Sequence, residues 1–244
     1  MSGHRPKIHG RNGVFQSCSL QEAAFEKKNV KARLGWCKER RAWDEEWKKV
    51  VFSDESRFCL FHNDGREKVW RRVGERYNVD CLKPTVQGGG GSVMVWGCIS
   101  WEGVGPLVLV EGTLDQYRYV NLLSKHLVPY LKEIDEQHPG VIFQSDNAPC
   151  HTAEYTIQWL QSHGINRMPW PAQSPDLNPI EHLWDYLDRQ IRKRRPLPTS
   201  SAGMAAALQD EWGKIPLDVV RKLISSMPSR VGAVIKAKGW HTSY

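Results

Sequence analysis

The stretch that decides the fold is "KVVFSDESRFCLF", residues 49–61. Its β-branched and aromatic residues predict a buried strand, and Asp54 interrupts the apolar run in the middle of it. Neighbouring residues of a strand point to opposite faces of a sheet, so Asp54 and Glu55 cannot both serve one site. The residues alone do not say which of the two carboxylates does so.

Two further carboxylates stand in apolar surroundings. Asp146 follows the apolar run of "VIFQSD", residues 141–146, which predicts a short strand that ends at this aspartate. Glu181 lies on a predicted helix that begins near Pro179, where proline suits a first turn. That helix has one apolar stripe, with Glu181 at its border, and the stripe consists of Ile180, Leu183, Trp184, Leu187 and Ile191.

The rest of the chain alternates between predicted strands and helices. We expect strands at 68–77, 92–101, 105–112 and 165–170. Helices are expected at 21–49, at 113–134 with Thr113 as N-cap, at 152–163 with Gly164 as its stop, at 201–213 and at 217–237. This order predicts an α/β fold with a mixed central sheet flanked by helices. The glycines at 88–91 predict a mobile hairpin tip, with direct substrate contact as the alternative. A phosphate loop is not expected, because no Gly-Lys-Ser/Thr follows them.

The composition is that of a globular protein with an excess of positive charge. Of 244 residues, 40% are apolar and 11 are tryptophan, which argues against a disordered chain. The net charge of +7 suits a polyanionic partner such as nucleic acid. We expect an intracellular protein without a membrane partner, because no apolar run spans a membrane and no signal peptide begins the chain. The six scattered cysteines predict buried thiols rather than disulfides or a zinc finger.

The isolated carboxylates have a shared chemical explanation. Hard divalent ions such as Mg²⁺ bind carboxylate oxygens. Two such ions about 3.5–4 Å apart can activate a water and stabilise the leaving oxygen of a phosphodiester. A central strand, an adjacent strand end and a packed helix can supply one carboxylate each. The alternative for each carboxylate is a structural ion pair or a helix cap.

Several neighbouring residues have competing interpretations. Asp185 and Asp188 share the flank of Glu181 on the predicted helix, and either could replace it or be a solvated surface charge. His151 could bind metal, contact phosphate or cap its loop, and His182 could orient a metal ligand or be structural. Asp176 is expected to be a turn or cap residue.

Four stretches of the chain, in order, carry a family resemblance: "VVFSDESRF", "GGGGSVMVWGCIS", "QSDNAPCHTA" and "WPAQSPDLNPIEHLWDYLDRQI". They closely resemble the catalytic domain of mariner-superfamily DNA transposases, in the branch that includes Sleeping Beauty. The 34 residues between Asp146 and Glu181 are the spacing that marks this branch. The resemblance runs from about residue 27 to the C-terminus.

The resemblance implies an RNase H-like fold and a metal-bound catalytic triad of Asp54, Asp146 and Glu181, which selects Asp54 over Glu55. Beside the triad, the candidate supporting residues are Asn147, His151 and His182. Family members cut transposon ends with water, then join the freed 3′-hydroxyl to target DNA, typically at TA. The implied cofactor is Mg²⁺, two ions per site, with Mn²⁺ able to substitute. The implied partners are double-stranded DNA and a second subunit in the DNA complex, and the implied location is the nucleus.

The N-terminus departs from the family pattern. Residues 1–26 are expected to be a basic flexible leader or linker remnant, and residues 27–244 the RNase H-like catalytic domain. Full-length relatives carry two helix-turn-helix modules before this domain, and we expect them to be absent here. A truncated copy, an excised domain and a repurposed host gene remain open.

A basic cluster follows the predicted helix in "DRQIRKRR", residues 188–195. It can neutralise DNA phosphates, complement the dipole of a solvated helix end, or act in nuclear localisation, through Arg189, Arg192, Lys193, Arg194 and Arg195. The leading hypothesis is a metal-dependent transposase catalytic domain. The alternatives are a transposase-derived DNA-binding or regulatory protein without transposition activity, and a general nuclease on the same fold.

Overall fold

The computed structural model describes residues 27–60 and 91–244. The predicted leader at 1–26, the predicted strand at 68–77 and the glycines at 88–90 lie outside these described residues.

A four-stranded mixed sheet forms the centre of the described part. β1 (Val50–Cys59) pairs antiparallel with β2 (Ser92–Ser100), which pairs antiparallel with β3 (Gly103–Val110). β4 (Ile142–Gln144) pairs parallel with the first residues of β1, so the strand order is β3-β2-β1-β4. The predicted mixed sheet is confirmed, and β1 is an interior strand with a neighbour on each side.

Helices cover both faces of this sheet. In chain order they are α1 (Lys27–Glu39), α2 (Gln116–Leu122), α3 (Val128–Gln137), α4 (Pro149–Thr152), α5 (Glu154–Ser162), α6 (Ile180–Lys193), α7 (Ser201–Gly213), α8 (Leu217–Ser225) and α9 (Met227–Lys236). α1 and α6 to α9 enclose an apolar core with Phe52 and Phe58 of β1. α2, α3 and α5 enclose a second core with Val51 of β1. Alternate residues of β1 therefore face two different helical layers.

α6 forms as its apolar stripe predicts. All five residues of the stripe are buried, and Pro179 is the N-cap residue before the first helical turn. Arg192 and Lys193 lie in the last turn, where positive charge complements the helix dipole.

Several predicted boundaries are wrong. α1 ends at Glu39, and only a 3₁₀ turn at Glu45–Lys49 follows it, in place of a continuous helix over 21–49. Asp115, not Thr113, caps α2, because its carboxylate accepts hydrogen bonds from the backbone N–H groups of two first-turn residues. Between α2 and α3 the helix widens into a π-helical turn at Leu123–Leu127.

Three further predictions need correction. The predicted strand at 165–170 makes only an isolated parallel bridge between Arg167 and Phe143. The predicted helix at 152–163 forms as α5, beginning two residues later than expected and preceded by the separate short α4, and Gly164 follows its end with a φ of +64° as expected. The predicted helix at 217–237 is divided before Met227, because Pro228 has no N–H to continue the hydrogen-bond ladder.

The cysteines within the described residues are free thiols, as predicted. Cys37 and Cys98 are buried, but Cys59 is exposed and Cys150 is partly exposed.

Candidate active site

The three predicted carboxylates line one cavity of about 370 Å³. Asp54 comes from β1, Asp146 lies two residues past the end of β4, and Glu181 is in the first turn of α6. The other residues of the cavity wall are apolar or uncharged, with no lysine, arginine or histidine among the lining residues that the structure describes. The cavity is therefore a concentration of negative charge without a counterion from its own wall.

Asp54 faces this cavity from the middle of β1. Its Oδ2 accepts a hydrogen bond of 3.0 Å from the indole N–H of Trp184, one turn after Glu181 on α6. Burial raises the pKa of Asp54 well above its usual value, and the nearby carboxylates of Glu181 and Glu55 raise it further. A cation in the cavity would relieve both effects.

Glu181 has a similar electrostatic environment. Burial raises the pKa of its carboxyl group, and the charges of Asp185 and Asp146 raise it further. Asp185 itself is exposed, and Asp188 pairs with Arg192 at 3.1 Å. Neither of these competing helical aspartates lines the cavity, which leaves Glu181 as the cavity carboxylate of α6.

Asp146 is stabilised as a carboxylate by groups around it. Its Oδ1 lies 2.6 Å from Nδ1 of His151 and accepts a hydrogen bond of 2.9 Å from the backbone N–H of Ala148. Burial opposes ionisation, but these contacts and the charge of Arg167 hold the pKa of Asp146 below its usual value. Asp146 therefore offers a charged oxygen ligand at neutral pH.

His151 lies behind Asp146 and does not line the cavity. The side chain is buried, its ring packs on Tyr119 with 4.1 Å between centroids, and its Nε2 lies 3.3 Å from Oε1 of Glu55. Burial lowers the pKa of His151, but its neighbours more than offset this and hold the pKa above its usual range; in order of effect they are Tyr119, Asp146, Cys150 and Glu55. Glu55 thus faces the second helical layer while Asp54 faces the cavity, as strand alternation requires.

The other two supporting candidates have different environments. Asn147 lines the cavity, and its side-chain N–H group donates a hydrogen bond of 2.7 Å to the carbonyl of Trp170 in the opposite wall. His182 is half-buried and is not among the cavity-lining residues. Burial lowers its pKa, and the charge of Arg230 lowers it further. The structure therefore brings Asn147 to the site and leaves His182 outside it.

Two amide side chains that the sequence analysis did not identify hold the backbone of Ser53 next to Asp54. The Ser53 N–H donates to Oε1 of Gln144 at 3.1 Å, and the Ser53 carbonyl accepts from Nδ2 of Asn178 at 3.3 Å. β4 ends at Gln144, so these side chains replace the backbone ladder where the two strands diverge. The divergence opens the cavity between Asp54 and Asp146.

A buried ion pair supports one wall of the cavity. Asp176 lies in the 3₁₀ turn Pro175–Leu177, and both of its carboxylate oxygens accept hydrogen bonds from Arg33, at 2.8 and 2.7 Å. Thr242 donates to Oδ2 of Asp176 through its backbone N–H at 3.0 Å and its hydroxyl at 2.9 Å. The predicted turn role of Asp176 is thus incomplete, because the residue joins two distant parts of the chain.

The basic cluster after α6 divides into structural and exposed members. Arg192 donates to the carbonyls of Cys59, the last residue of β1, at 2.9 Å and of Leu60 at 3.4 Å. Arg194 pairs with Asp210 at 2.6 Å and also with Glu211. The exposed members are Arg189, Lys193 and Arg195. Arg195 also donates to the carbonyls of Arg192 at 3.1 Å and Arg194 at 2.9 Å, so three of the five predicted phosphate-binding residues make contacts within the fold.

The cavity fits a hard divalent cation by its chemistry. Carboxylate oxygens are the ligands that Mg²⁺ and Mn²⁺ prefer. The described cavity wall supplies three carboxylate groups and no positive side chain. Among the described residues, no three His, Cys, Asp or Glu side chains already surround a single point as a closed metal site.

Comparison with known proteins gives the family. The model of the DDE superfamily endonuclease family matches residues 49–202. The Tc1 transposase of Caenorhabditis elegans is 40% identical over 238 residues, which cover 97% of this chain and 84% of that protein. The Tcb1 transposase of Caenorhabditis briggsae is 41% identical over 239 residues, with the same coverage. The chain belongs to the Tc1/mariner family of DDE transposases, a family of enzymes. A match over 97% of the chain extends into the first 26 residues, and the predicted boundary at residue 26 stays a prediction.

Solved structures give the same fold. The Mos1 mariner paired-end complex with Mn has a TM-score of 0.73 at 19% identity, covering 99% of this chain and 69% of that one. The Mos1 transposase catalytic domain with Raltegravir and Mg has a TM-score of 0.66 at 18% identity, covering 89% of this chain and 98% of that one. The predicted RNase H-like fold is confirmed. Of the helices that the structure describes, none has the length and apolar character needed to cross a membrane.

Proposed function

We propose that this enzyme cuts phosphodiester bonds at transposon ends and joins the freed 3′-hydroxyl to target DNA at TA, in a metal-dependent cut-and-paste reaction. One observation carries the proposal. Asp54, Asp146 and Glu181, from three separate elements, line one cavity whose described wall contains no positive side chain. Membership of the Tc1/mariner family supports the choice of DNA as substrate.

The three carboxylates would hold two Mg²⁺ ions, and Mn²⁺ can replace them. Bound divalent ions would supply activation of the attacking hydroxyl and stabilisation of the leaving oxygen at a phosphodiester. The protein's own part is positioning. Trp184 orients Asp54, His151 orients Asp146, and Asn147 ties the loop after β4 to the opposite wall.

The proposed partners are double-stranded DNA, as transposon end and as target, and a second copy of the chain in the DNA complex. Solved Mos1 complexes include a paired-end complex with the left transposon end and a strand transfer complex, which supports this assembly by analogy. The net charge of +7 suits DNA binding. The proposed location is the nucleus, where such a substrate lies.

The decisive test is strand transfer of a pre-cleaved DNA end into a TA-containing plasmid with Mg²⁺ or Mn²⁺. We expect joined product from the native chain and a loss of at least 100-fold in Glu181→Gln, because an uncharged amide is a poor ligand for a hard cation. Asp185→Asn is the matched control, since it removes one carboxylate from the next turn of α6 outside the cavity. Equal activity of native protein and Glu181→Gln would overturn the proposal.

A further inference from the structure

The acidic cavity leaves an electrostatic problem for a DNA substrate. The phosphates that flank the reacting bond are anions, and the cavity wall contributes only negative charge from its side chains. Bound metal ions would neutralise the reacting phosphate only, so the flanking phosphates would need positive charge outside the cavity. A neighbouring surface therefore has to supply it.

A groove beside α1 is continuous with this cavity. Trp170 and Pro171 line both the cavity and the groove, so the two form one connected surface. We call this surface the α1 groove, and its lining residues are Lys28, Lys31, Ala32, Gly35, Trp36, Glu39 and Pro169–Pro171.

The floor of the α1 groove is rigid and aromatic. Trp36 and Trp170 are both buried and contact each other edge to face, with 5.0 Å between ring centroids. The indole N–H of Trp36 donates to the carbonyl of Pro169 at 2.5 Å, which fixes α1 against the 169–171 segment. A side chain added at Gly35 would meet nothing within 4 Å, so the groove is open above that residue.

The rim of the α1 groove is positive. Lys28 and Lys31 are exposed one turn apart, and the first turn of α1 has no acidic residue. The acidic lining residue, Glu39, lies at the other end and pairs with Arg40 at 3.1 Å. The positive charge of the rim is therefore concentrated toward the N-terminal end of α1, where it can contact the phosphates of a DNA backbone.

We propose that the α1 groove holds the backbone of the DNA strand adjacent to the reacting phosphate, with Lys28 and Lys31 each contacting one phosphate. The proposal rests on the proposed function, because it assigns the path of the same substrate beyond the cavity. The contacts are to phosphate and sugar, so they position the strand without reading its sequence.

The test compares two double variants with equal loss of charge. The groove variant, Lys28→Ala/Lys31→Ala, removes both lysines from the rim of the α1 groove. The control variant, Lys125→Ala/Lys132→Ala, removes two exposed lysines from the helical layer on the other side of the sheet. The dissociation constant for a double-stranded oligonucleotide with a pre-cleaved 3′ end is measured over a range of KCl concentrations without divalent metal. Strand transfer with Mg²⁺ is measured in parallel.

The logarithm of the affinity decreases with the logarithm of the salt concentration. We expect this dependence to become shallower by about 2 in the groove variant, at roughly 0.9 per lost phosphate contact, and to change much less in the control. Equal slopes in the two variants would overturn the proposal. An unchanged slope with a lowered unfolding temperature would also overturn it, because it would indicate that the lysines bind another part of the chain. The proposed function is judged separately by Glu181→Gln, which acts on strand transfer and not on the salt slope.

Discussion

At the scale of single residues, Asp146 depends on side chains that lie outside the cavity. Oδ1 contacts both His151 and the backbone of Ala148, and Arg167 donates to the Asp146 carbonyl at 2.8 Å. His151 in turn is fixed by the Tyr119 ring and by Glu55. Residues that orient a ligand in this way control metal affinity without touching the metal.

Replacement of His151 by phenylalanine tests this arrangement. The new ring can still pack on Tyr119, but it cannot hold Oδ1 of Asp146. We expect the Mg²⁺ concentration for half-maximal strand transfer to rise about 10- to 100-fold. His163→Phe is the matched control, because His163 also packs on an aromatic ring, with 4.2 Å between its centroid and that of Trp159, but lies in an exposed position away from the cavity. An unchanged Mg²⁺ dependence in His151→Phe would contradict the assigned role.

At the scale of elements, α6 connects two of the cavity carboxylates. Its first turn carries Glu181, and its second turn carries Trp184, which donates to Asp54 on β1. The Trp184 ring is buried, stacks on Trp212 with 5.2 Å between centroids, and contacts Phe58 edge to face. Helix packing and carboxylate orientation therefore depend on the same side chain.

A pair of tryptophan substitutions separates packing from orientation. Trp184→Phe keeps most of the ring but removes the donor to Asp54, whereas Trp212→Phe removes a donor to the carbonyl of Gly105. We expect both variants to be less stable, and only Trp184→Phe to lose strand-transfer rate at saturating Mg²⁺, by about tenfold or more, since hydrogen bonds to charged groups contribute about 1.5–3 kcal/mol. Equal losses of rate in the two variants, measured well below their unfolding temperatures, would refute this assignment.

At the scale of the whole molecule, Asp176 joins three distant regions. Arg33 comes from α1, Thr242 from the C-terminal tail, and Arg230 of α9 donates to the Asp176 carbonyl at 2.7 Å. Burial opposes ionisation, but the hydrogen bonds from Arg33 and Thr242 hold the pKa of Asp176 below its usual value of 3.8. The folded chain thus binds this proton less readily than the unfolded chain, so the stabilisation is present above about pH 4 and is lost as pH falls further.

Asp176→Asn is expected to lower the free energy of unfolding at pH 7 by about 3–5 kcal/mol, because it removes the negative charge from a buried two-point ion pair with Arg33. The difference from the native chain should shrink below pH 4, as urea unfolding at several pH values will measure. Thr242→Val, which removes one hydroxyl donor, provides a milder variant if Asp176→Asn does not fold.

Asp210→Asn, at an exposed ion pair, is the control and should leave the unfolding curve nearly unchanged. A difference of equal size at pH 3 and pH 7 would exclude the ion pair as its cause.

Local sequence patterns predicted some parts of this molecule and could not predict others. The stripe of α6 has a strict helical period, so the buried face and the position of Glu181 followed from it. Strand alternation restricted Asp54 and Glu55 to opposite faces, but it contains no information on which layer each face meets.

Contacts between residues far apart in the sequence were the main features that the sequence patterns did not predict. Arg33 and Asp176 are 143 residues apart, and Ser53 and Asn178 are 125 apart, so no periodicity or cap pattern relates them. The N-cap of α2 was a local error, since Thr113 and Asp115 both satisfy the cap preference and only the fold selects between them. The three carboxylates were predicted as a triad from the family resemblance, and only the folded chain shows that they line one cavity.

The contacts of Thr242 also bear on the order in which the chain is made. During translation, Asp54, Asp146 and Glu181 are added to the chain well before Thr242, which follows Asp176 by 66 residues. The wall beside the cavity therefore receives the hydrogen bonds from Thr242 only after all three carboxylates have been synthesised. A polypeptide interrupted by a stop codon between Glu181 and Thr242 would carry all three cavity carboxylates and still lack these hydrogen bonds. The finished wall of the cavity thus depends on residues that are synthesised after the whole set of carboxylates.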